Sequence, residues 1–359
     1  MNDIPLLPII GDAEIALLEK LSNANAVSGD EGEVRAIVLE QVRPLVDEVK
    51  VDALGNVLAV RKARQPGALR VMLAAHMDEI GFMLTSDGED GLFSFALVGG
   101  IDERILPGKP VKVGKDHVPG VIGAKPIHLQ EEGEDERSIP VDSLKIDLGP
   151  GGENKAKKGD RATFATTFQR VGPSLIGKAL DNRLGVATII ELLRHAPDSI
   201  ELIGAFTVQE EIGLRGARVA AYAINPDLAI AIDSTPAYDL PLWDGSENTV
   251  YNTRLGAGPA IYLTDSSTLS DPRIIQHLVR SAEAEGIPYQ FRQPGGGGTD
   301  AGAIHKQRAG IPSVSVSVPG RYAHTPALVV RLEDWQNTLR LLHSALRRLT
   351  PDVLAEPRP

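Results

Sequence analysis

The sequence contains no cysteine, few aromatic residues and no long apolar run. Cysteine is absent from its 359 residues, and Phe, Trp and Tyr together make up 4 %. Without cysteine there are no disulfides and no thiolate ligands, so any metal site must use His, Asp and Glu. No apolar run approaches the ~20 residues of a membrane-spanning helix. Residues 1–10 lack the basic segment that opens a signal peptide. We therefore expect a cytoplasmic protein without membrane partners.

Basic residues are also in the minority. The chain has 37 Lys and Arg against 48 Asp and Glu, which gives a formal net charge of −11. A negative surface repels phosphate backbones, so this balance argues against nucleic acid as a partner. The length exceeds the size at which one hydrophobic core usually stops growing, and two domains are therefore expected.

Apolar runs alternate with helical patterns over most of the chain. Residues 71–75, 200–208, 228–232 and 314–318 predict buried strands. Helices are predicted at residues 12–24, 34–42, 182–195, 214–223, 272–285, 301–308 and 333–349. Ser28 and Glu31 have the spacing of a capping box before the second helix, and Pro44 should end that helix. The alternation predicts an α/β fold with a mostly parallel sheet sandwiched by helices.

Residues 80–174 differ from the rest. They are rich in Gly and Pro, and their short alternating segments show almost no helical period. This pattern predicts a small β-barrel inserted into the α/β domain. We therefore expect one domain from residues 1–79 and 175–359, and a second from residues 80–174. The charged run at residues 130–137 predicts a solvated loop, and residues 351–359 are expected to be a disordered tail.

Metal-type side chains follow each predicted strand. In open α/β sheets, ligands bind outside the carboxyl ends of the strands. The residues at or just beyond those ends are His76, Asp78, Glu210, Glu211, Asp233 and His324. Asp181 instead precedes a helix, where it could cap the first turn or bridge two cations. Taken singly, each residue also has a plain interpretation as a surface or capping side chain.

Together, two histidines and three carboxylates suit a pair of metal ions. Nitrogen and oxygen ligands without sulfur fit Zn²⁺, Co²⁺ or Mn²⁺, and paired metals in hydrolases lie about 3.5–4 Å apart. Of the adjacent Glu210 and Glu211, one can bind metal while the other moves protons. Asp78 is two residues from His76 and can orient its ring through the second nitrogen.

Residues 295–298 are four consecutive glycines. They lack the Gly-Lys-Ser/Thr ending of a phosphate-binding loop and do not follow a clear buried strand. We interpret them as a flexible loop lining a substrate pocket, with Thr299 and Asp300 near the substrate.

Several strings match a known family. They are Ala-His-Met-Asp-Glu-Ile-Gly-Phe-Met at 75–83, Gly-Ala-Lys-Pro-Ile-His at 123–128, Lys-Ala-Leu-Asp-Asn-Arg-Leu-Gly at 178–185, Val-Gln-Glu-Glu-Ile-Gly-Leu-Arg-Gly at 208–216, Gly-Gly-Thr-Asp-Ala at 297–301 and Arg-Tyr-Ala-His-Thr-Pro at 321–326. In these strings and their order, the chain resembles the tetrahedral (TET) aminopeptidases. These are glutamyl and leucyl di-metal peptidases, some of which carry an older cellulase or endoglucanase label.

The resemblance implies a di-zinc exopeptidase fold whose inserted domain is PDZ-like and mediates dimerisation. It also implies two divalent metal ions per subunit, short peptides with a free N-terminus as substrates, and a tetrahedral dodecamer of six dimers. By the same resemblance Asp181 bridges the metals and Glu210 is the general base, while Asp78 orients His76. The terminal ligands would be His76, Glu211, Asp233 and His324.

Three other functions remain open from the residues. A related di-metal deacylase would use the same ligands on N-acylated amino acids. A glycoside hydrolase would also use paired carboxylates, although 4 % aromatic residues is poor for stacking sugars. A non-catalytic scaffold would have no need of Glu210.

Overall fold

The computed structural model describes residues 8–131, 133, 139–246, 248, 253–293 and 295–355. Eight helices are assigned within these ranges. They are α1 (Asp12–Asn23), α2 (Gly32–Val42), α3 (Leu180–Arg194), α4 (Arg215–Ile224), α5 (Pro272–Glu285), α6 (Ala301–Ile304), α7 (Leu332–Arg348) and α8 (Asp352–Ala355).

The strands of the described chain form two sheets. The larger sheet contains β1 (Glu48–Val51), β2 (Val57–Arg61), β3 (Arg70–His76), β11 (Gln169–Val171), β12 (Ser174–Gly177), β13 (Glu201–Thr207), β14 (Leu228–Pro236), β15 (Ala260–Tyr262), β16 (Gln290–Arg292), β17 (Ser313–Arg321) and β18 (Leu328–Arg331). The smaller sheet contains β4 (Gly81–Leu84), β5 (Leu92–Phe93), β6 (Phe95–Val98), β7 (Pro110–Val113), β8 (Val118–Ile122), β9 (Ile146–Asp147) and β10 (Arg161–Phe164).

The larger sheet is mixed, and the expectation of a mostly parallel sheet was wrong. Its main order is β1-β2-β13-β3-β14-β17-β18-β12-β11, with β15 and β16 attached beside β17. The four central strands, β13, β3, β14 and β17, are parallel, whereas β2 and β18 join them antiparallel. The parallel centre corresponds to the four predicted strands. The outer strands are short or polar and give no comparable pattern in the sequence.

Helices cover both faces of this sheet because side chains alternate between them. In β3, Val71, Leu73 and Ala75 face one core, which also contains α1, α2, α3, α5 and α7, while Met72 and Ala74 face a second core with α4 and α6. Alternate residues of a strand point to opposite faces, so one strand serves two layers. The second core is rich in alanine, which lets α4 lie close to the sheet.

The smaller sheet has its own apolar core and is antiparallel throughout. Its order is β5-β9-β8-β7-β10-β4-β6. Phe82 lies at the centre and contacts Phe95 and Phe164 edge-to-face, with ring centroids 5.2 Å apart in both pairs. The small β-barrel and the division into two domains remain predictions. One strand of the expected insert, β11, pairs with β12 in the larger sheet.

Two local expectations were wrong. Ser28 does not cap α2, because its hydroxyl donates to Oδ2 of Asp78 at 2.6 Å and the helix begins at Gly32. Helix α6 ends at Ile304 rather than near residue 308, and Arg308 adopts a left-handed backbone (φ 54°).

The sequence also led to predictions for the two ends of the chain and for the charged run. Part of the expected disordered tail is helical, since α8 lies there and the backbone oxygen of Leu354 accepts a hydrogen bond from Arg273. Residues 356–359 lie outside the described residues. So do residues 1–7 and most of the charged run at 130–137. Among the helices described here, none is both long and apolar enough to cross a membrane.

A buried ion cluster joins the two sheets. Nζ of Lys178 donates to both carboxylate oxygens of Glu79, at 2.8 and 2.9 Å, and Nη2 of Arg183 lies 3.3 Å from Glu79 Oε1. Thr163, in β10 of the smaller sheet, donates to Oε2 of Glu79 at 2.7 Å. Burial opposes ionisation of Glu79, but the charges of Lys178 and Arg183 outweigh it and lower the pKa of its carboxyl group. The cluster thus fixes the segment after β3.

Replacing Glu79 should destabilise the fold. Glu79→Gln leaves Lys178 and Arg183 as buried charges without a counterion, so we expect the free energy of unfolding to fall by about 3–5 kcal/mol. Denaturant unfolding followed by circular dichroism measures the change. The matched control is Glu40→Gln, which breaks an exposed pair with Lys20 and should cost about 1 kcal/mol or less. Equal losses in both variants would contradict the role given to the buried cluster.

Candidate metal centre

The carboxyl ends of the central strands bring the predicted ligands together. His76 is the last residue of β3 and lies beside Thr207, the last residue of β13. Asp233 lies within β14, which continues to Pro236 rather than ending at the aspartate. Nε2 of His76 lies 3.7 Å from Oδ1 of Asp233. Residues far apart in the chain therefore meet at one edge of the sheet, as the strand pattern predicts.

Asp181 lies between the two histidines. Its Oδ1 is 3.3 Å from Nε2 of His76, and its Oδ2 is 3.8 Å from Nε2 of His324. Nε2 of His324 is also 3.5 Å from Oε2 of Glu211. The two oxygens of one carboxylate therefore face two different imidazoles. Asp181 thus lies between His76, which has Asp233 nearby, and His324, which has Glu211 nearby.

The site fits divalent cations by its charge as well as its geometry. Ligand atoms of His76, Glu210 and Asp233 lie within 4.8 Å of one another, as do those of His76, Asp181 and Glu211. Burial, followed by the repulsion of Asp181, raises the pKa of Glu211 to about 8 and that of Asp233 to about 6, even though the histidines oppose both shifts. Four carboxylates thus crowd against two imidazoles. Bound cations would offset that charge, and nitrogen and oxygen donors suit them.

Asp181 is ionised more readily than its neighbours. Burial opposes its ionisation, but the hydrogen bond and charge of His76 and the charge of His324 outweigh burial and lower its pKa to about 2. The alternative role as a helix cap does not hold. The regular part of α3 is capped instead by Asn182, whose Oδ1 accepts the backbone N–H of Gly185 at 3.0 Å. Asn182 anchors the start of α3, because it donates to the backbone oxygen of Ile232 in β14 at 2.7 Å.

Asp78 contacts other residues of the site besides the ring of His76. The backbone oxygen of Asp78 lies 3.2 Å from Nδ1 of His76, while the nearest carboxylate oxygen is 3.5 Å from that atom. The carboxylate accepts the backbone N–H of Glu210 at 3.0 Å and that of Glu211 at 3.2 Å. Ser28 donates to it as well. Asp78 therefore holds the turn that carries both glutamates, a contact that the sequence did not indicate.

A residue next to the smaller sheet contacts His324. The backbone oxygen of Gly100 lies 2.8 Å from Nδ1 of the ring. A carbonyl oxygen can only accept, so this contact makes Nδ1 the donor and leaves Nε2 free to bind a metal. His324 itself has a left-handed backbone (φ 58°), just after β17.

A cavity of about 550 Å³ opens onto these residues. Gly296, Gly297 and Gly298 line it, as expected for the glycine loop. Thr299 and Asp300 do not line it. Both are buried, Thr299 bonding Ser315 and Asp300 accepting from Thr207 at 2.5 Å.

Two further residues of the cavity wall, Tyr262 and Arg292, were not identified from the sequence. They lie side by side in β15 and β16. Each belongs to a strand of three residues, too short for a periodic signal to reveal it.

Two aminopeptidases are similar to this chain over almost their whole length. The chain is 32 % identical over 347 residues to the lysyl aminopeptidase of Pyrococcus furiosus, covering 93 % of this chain and 97 % of the relative. It is 32 % identical over 355 residues to the glutamyl aminopeptidase of Lactococcus lactis subsp. cremoris, with 94 % and 97 % covered.

Several solved structures are also similar to the chain over almost their whole length. The aminopeptidase APDkam598 of Desulfurococcus kamchatkensis has a TM-score of 0.89 and 35 % identity, covering 95 % of this chain and 96 % of that one. The TET1 peptidase of Pyrococcus horikoshii, which can assemble into a tetrahedron or an octahedral shell, has a TM-score of 0.82 and 32 % identity, with 94 % and 100 % covered. A Thermotoga maritima structure called an endoglucanase is similar too, with a TM-score of 0.74, 32 % identity and 91 % and 95 % covered. Residues 55–341 match the model of the M42 glutamyl aminopeptidases, and the chain belongs to that aminopeptidase family.

Proposed function

We propose that this aminopeptidase binds two divalent metal ions and removes the first residue of short peptides with a free N-terminus. The observation that carries the proposal is the position of Asp181. Its two carboxylate oxygens face different histidines, 3.3 and 3.8 Å away, so one side chain can serve two cations. A scaffold protein has no use for such a concentration of buried carboxylates, which destabilises the fold unless it is offset.

We assign the ligands of each metal from the residues on either side of Asp181. His76 and Asp233 would hold one ion with Asp181, and Glu211 and His324 would hold the other. The donors are nitrogen and oxygen, which suits Zn²⁺ or Co²⁺, with Mn²⁺ as a third option. Gly100 stabilises this arrangement through the second ring nitrogen of His324. Asp78 does so at the second ring nitrogen of His76 and at the turn that carries the glutamates.

Glu210 is the residue that moves protons. Metal ions bound here would lower the pKa of a water molecule and polarise the carbonyl of the scissile peptide bond. Ligand atoms of Glu210, His76 and Asp233 lie within 4.8 Å of one another, so Glu210 lies next to one proposed ion. The ligand sets proposed above leave its carboxylate for the water. Its carboxylate would accept the proton of the attacking water and then donate it to the departing amine. Asp78 supports this role because it accepts the backbone N–H of Glu210.

Assembly and location follow the family resemblance. We propose that residues 80–174 form a PDZ-like dimerisation domain, and that dimers build a cytoplasmic tetrahedral dodecamer. The separate aromatic core of the smaller sheet and the similar TET1 peptidase support this. A monomer in light scattering would contradict it.

The substrate class is tested with aminoacyl-p-nitroanilides after reconstitution with Zn²⁺, Co²⁺ or Mn²⁺. We expect free-amine substrates to be cleaved and N-acylated ones to resist, which distinguishes an aminopeptidase from a deacylase. A chelator should abolish activity, whereas a glycosidase with two carboxylates would survive metal removal.

In the same assay, Glu210→Gln should retain both metal ions but lose about 10²–10⁴-fold in kcat, the usual contribution of a positioned acid–base group. Metal content by mass spectrometry provides the control. Near-normal turnover with full metal content would remove Glu210 as the base, and loss of metal would make it a ligand instead.

Replacing Asp181 should release more metal ions than replacing His324. The unmodified chain should hold about two ions after dialysis, His324→Ala about one, and Asp181→Asn fewer still, because only Asp181 faces both groups. Inductively coupled plasma mass spectrometry measures this. His117→Ala, which removes a half-exposed histidine paired with Glu33, is the matched control and should keep both ions. If Asp181→Asn loses no more metal than His324→Ala, Asp181 does not bridge.

Asp78 should matter for metal affinity without being a ligand. Asp78→Ala frees the turn of Glu210 and Glu211, so we expect affinity to fall by about 10–100-fold. Competition with a fluorescent chelator measures it. Asp47→Ala also removes a carboxylate that accepts a backbone N–H, that of Lys62, but at the surface. Equal metal affinity in the two variants would show that the contacts of the buried Asp78 do not support the site.

A further inference from the structure

A buried asparagine binds both ends of the turn that carries the two glutamates. Asn56 is fully buried and lies just before β2. Its Oδ1 accepts the backbone N–H of Val208 at 3.0 Å, and its Nδ2 donates to the backbone oxygen of Gly216 at 3.1 Å. Val208 and Gly216 lie on either side of the glutamates in the sequence. One side chain therefore holds the base of the glutamate turn (residues 208–216).

The partners of the Asn56 amide fix its orientation. Nδ2 also donates to Oδ2 of Asp52 at 2.6 Å, so both of its N–H groups have an oxygen to bind. Rotating the amide by half a turn would place its oxygen against two other oxygens and its NH₂ group against an N–H. Asp52 is held in turn by the backbone N–H groups of Leu54, Gly55 and Asn56, which donate to its Oδ1. Asn56 is therefore held in one orientation.

The backbone of the glutamate turn requires such support. Gln209 and Leu214 both have left-handed φ angles, 56° and 57°, which are uncommon for residues with long side chains. The backbone N–H of Gly216 donates to the oxygen of Val208 at 2.9 Å, which closes the turn. Conformations of this kind persist where the surrounding contacts over-determine them. Asn56 supplies those contacts at the base of the turn.

The contact at the base leaves no room for a side chain at Gly216. A Cβ atom there would lie 2.3 Å from Oδ1 of Asn56 and 2.4 Å from the backbone oxygen of Val208. Both distances are far below the ~3.5 Å of van der Waals contact. The base of the turn can therefore be opened from either side, by removing the amide of Asn56 or by adding a methyl group at Gly216.

We propose that Asn56 is a positioning residue for the reaction, because it closes the base of the glutamate turn and so places the carboxylate of Glu210 at the metal centre. The proposal rests on the proposed function of Glu210 and adds a residue that fixes its position. Asp78 binds the backbone N–H groups in the middle of the turn, whereas Asn56 binds its two ends. Asn56 does not line the cavity, so it acts through the turn and not on the substrate.

The first test measures kcat and KM of Asn56→Ala on a free-amine p-nitroanilide with metal ions in excess. We expect kcat to fall by about 10–100-fold with little change in KM, since misplacing a catalytic group by about 1 Å can cost about 100-fold. Metal content by mass spectrometry should stay that of the unmodified chain. A normal kcat in Asn56→Ala would overturn the proposal.

Asn23→Ala is the matched control. Oδ1 of Asn23 also accepts a backbone N–H, that of Phe168 at 2.9 Å, but this contact lies outside the glutamate turn. The control should keep the kcat of the unmodified enzyme. An equal loss of kcat in both variants would show a general effect of removing a buried amide and would overturn the positioning role.

A double-mutant cycle separates the positioning of Glu210 from a general structural role. If Asn56 acts through Glu210, adding Asn56→Ala to Glu210→Gln should lower kcat much less than Asn56→Ala does alone, because the base is already lost. If Asn56 only supports folding, the two losses in kcat should multiply. Losses that multiply would therefore overturn the proposal.

Hydrogen exchange gives a readout that does not depend on activity. In Asn56→Ala, the amides of the glutamate turn should exchange faster than in the unmodified chain, while those of the central strands should keep their protection. Mass spectrometry of peptic fragments measures both. Unchanged protection of residues 208–216 would show that Asn56 does not hold the turn.

Gly216→Ala tests the same contact should Asn56→Ala not fold. The added methyl group opens the base from the other side and leaves Asn56 in place, so kcat should again fall with little change in KM. A normal kcat in this variant would overturn the proposal.

The failure of the proposal is distinguishable from that of the proposed function. Loss of turnover in Glu210→Gln with normal turnover in Asn56→Ala would refute the positioning role alone. Near-normal turnover in Glu210→Gln would refute the role of Glu210 as the base, and the positioning role with it.

Discussion

The concentration of negative charge at the carboxyl edge of the sheet is the constraint on which the rest of the site depends. Four carboxylates and two histidines lie where the parallel strands end, and burial raises the pKa of Glu211 and Asp233. Like charges at these distances repel, so the surrounding structure must hold them together until cations bind. The residues that hold these carboxylates in place must therefore lie outside the carboxylates and histidines themselves.

Those supports are polar and buried. The Glu79 cluster fixes the segment that follows β3, directly after His76 and Asp78, and Arg183 also donates to the backbone oxygens of Met77 and Asp78. Asp78 in turn holds the backbone of both glutamates. A continuous set of hydrogen bonds thus runs from the two sheets to the acidic pair. In a closely packed interior, such a set leaves the ligands little freedom to separate.

The sequence predicted the parts of the molecule that have a strong local signal. The four central strands are apolar on both faces and short enough to be recognised, and the residues after them, such as His76 and Glu210, were identified by position. The antiparallel strands around them were not, because their pairing depends on distant segments rather than on composition. Arg292 and Tyr262 were missed because each lies in a strand of three residues, which is too short to show a periodic pattern. The Lys178–Glu79 pair joins residues far apart in the chain, and nothing in either segment indicates the partner.

The contact between Gly100 and His324 makes the candidate site depend on segments next to both sheets. His324 follows the larger sheet, yet the carbonyl that selects its tautomer comes from the segment after β6 of the smaller one. A change in the backbone near Gly100 would therefore alter the chemistry of His324, although none of the candidate metal-binding residues identified above lies in that segment. Engineers who trim or swap the segment after β6 should therefore expect the tautomer of His324 to change even when His324 itself is retained.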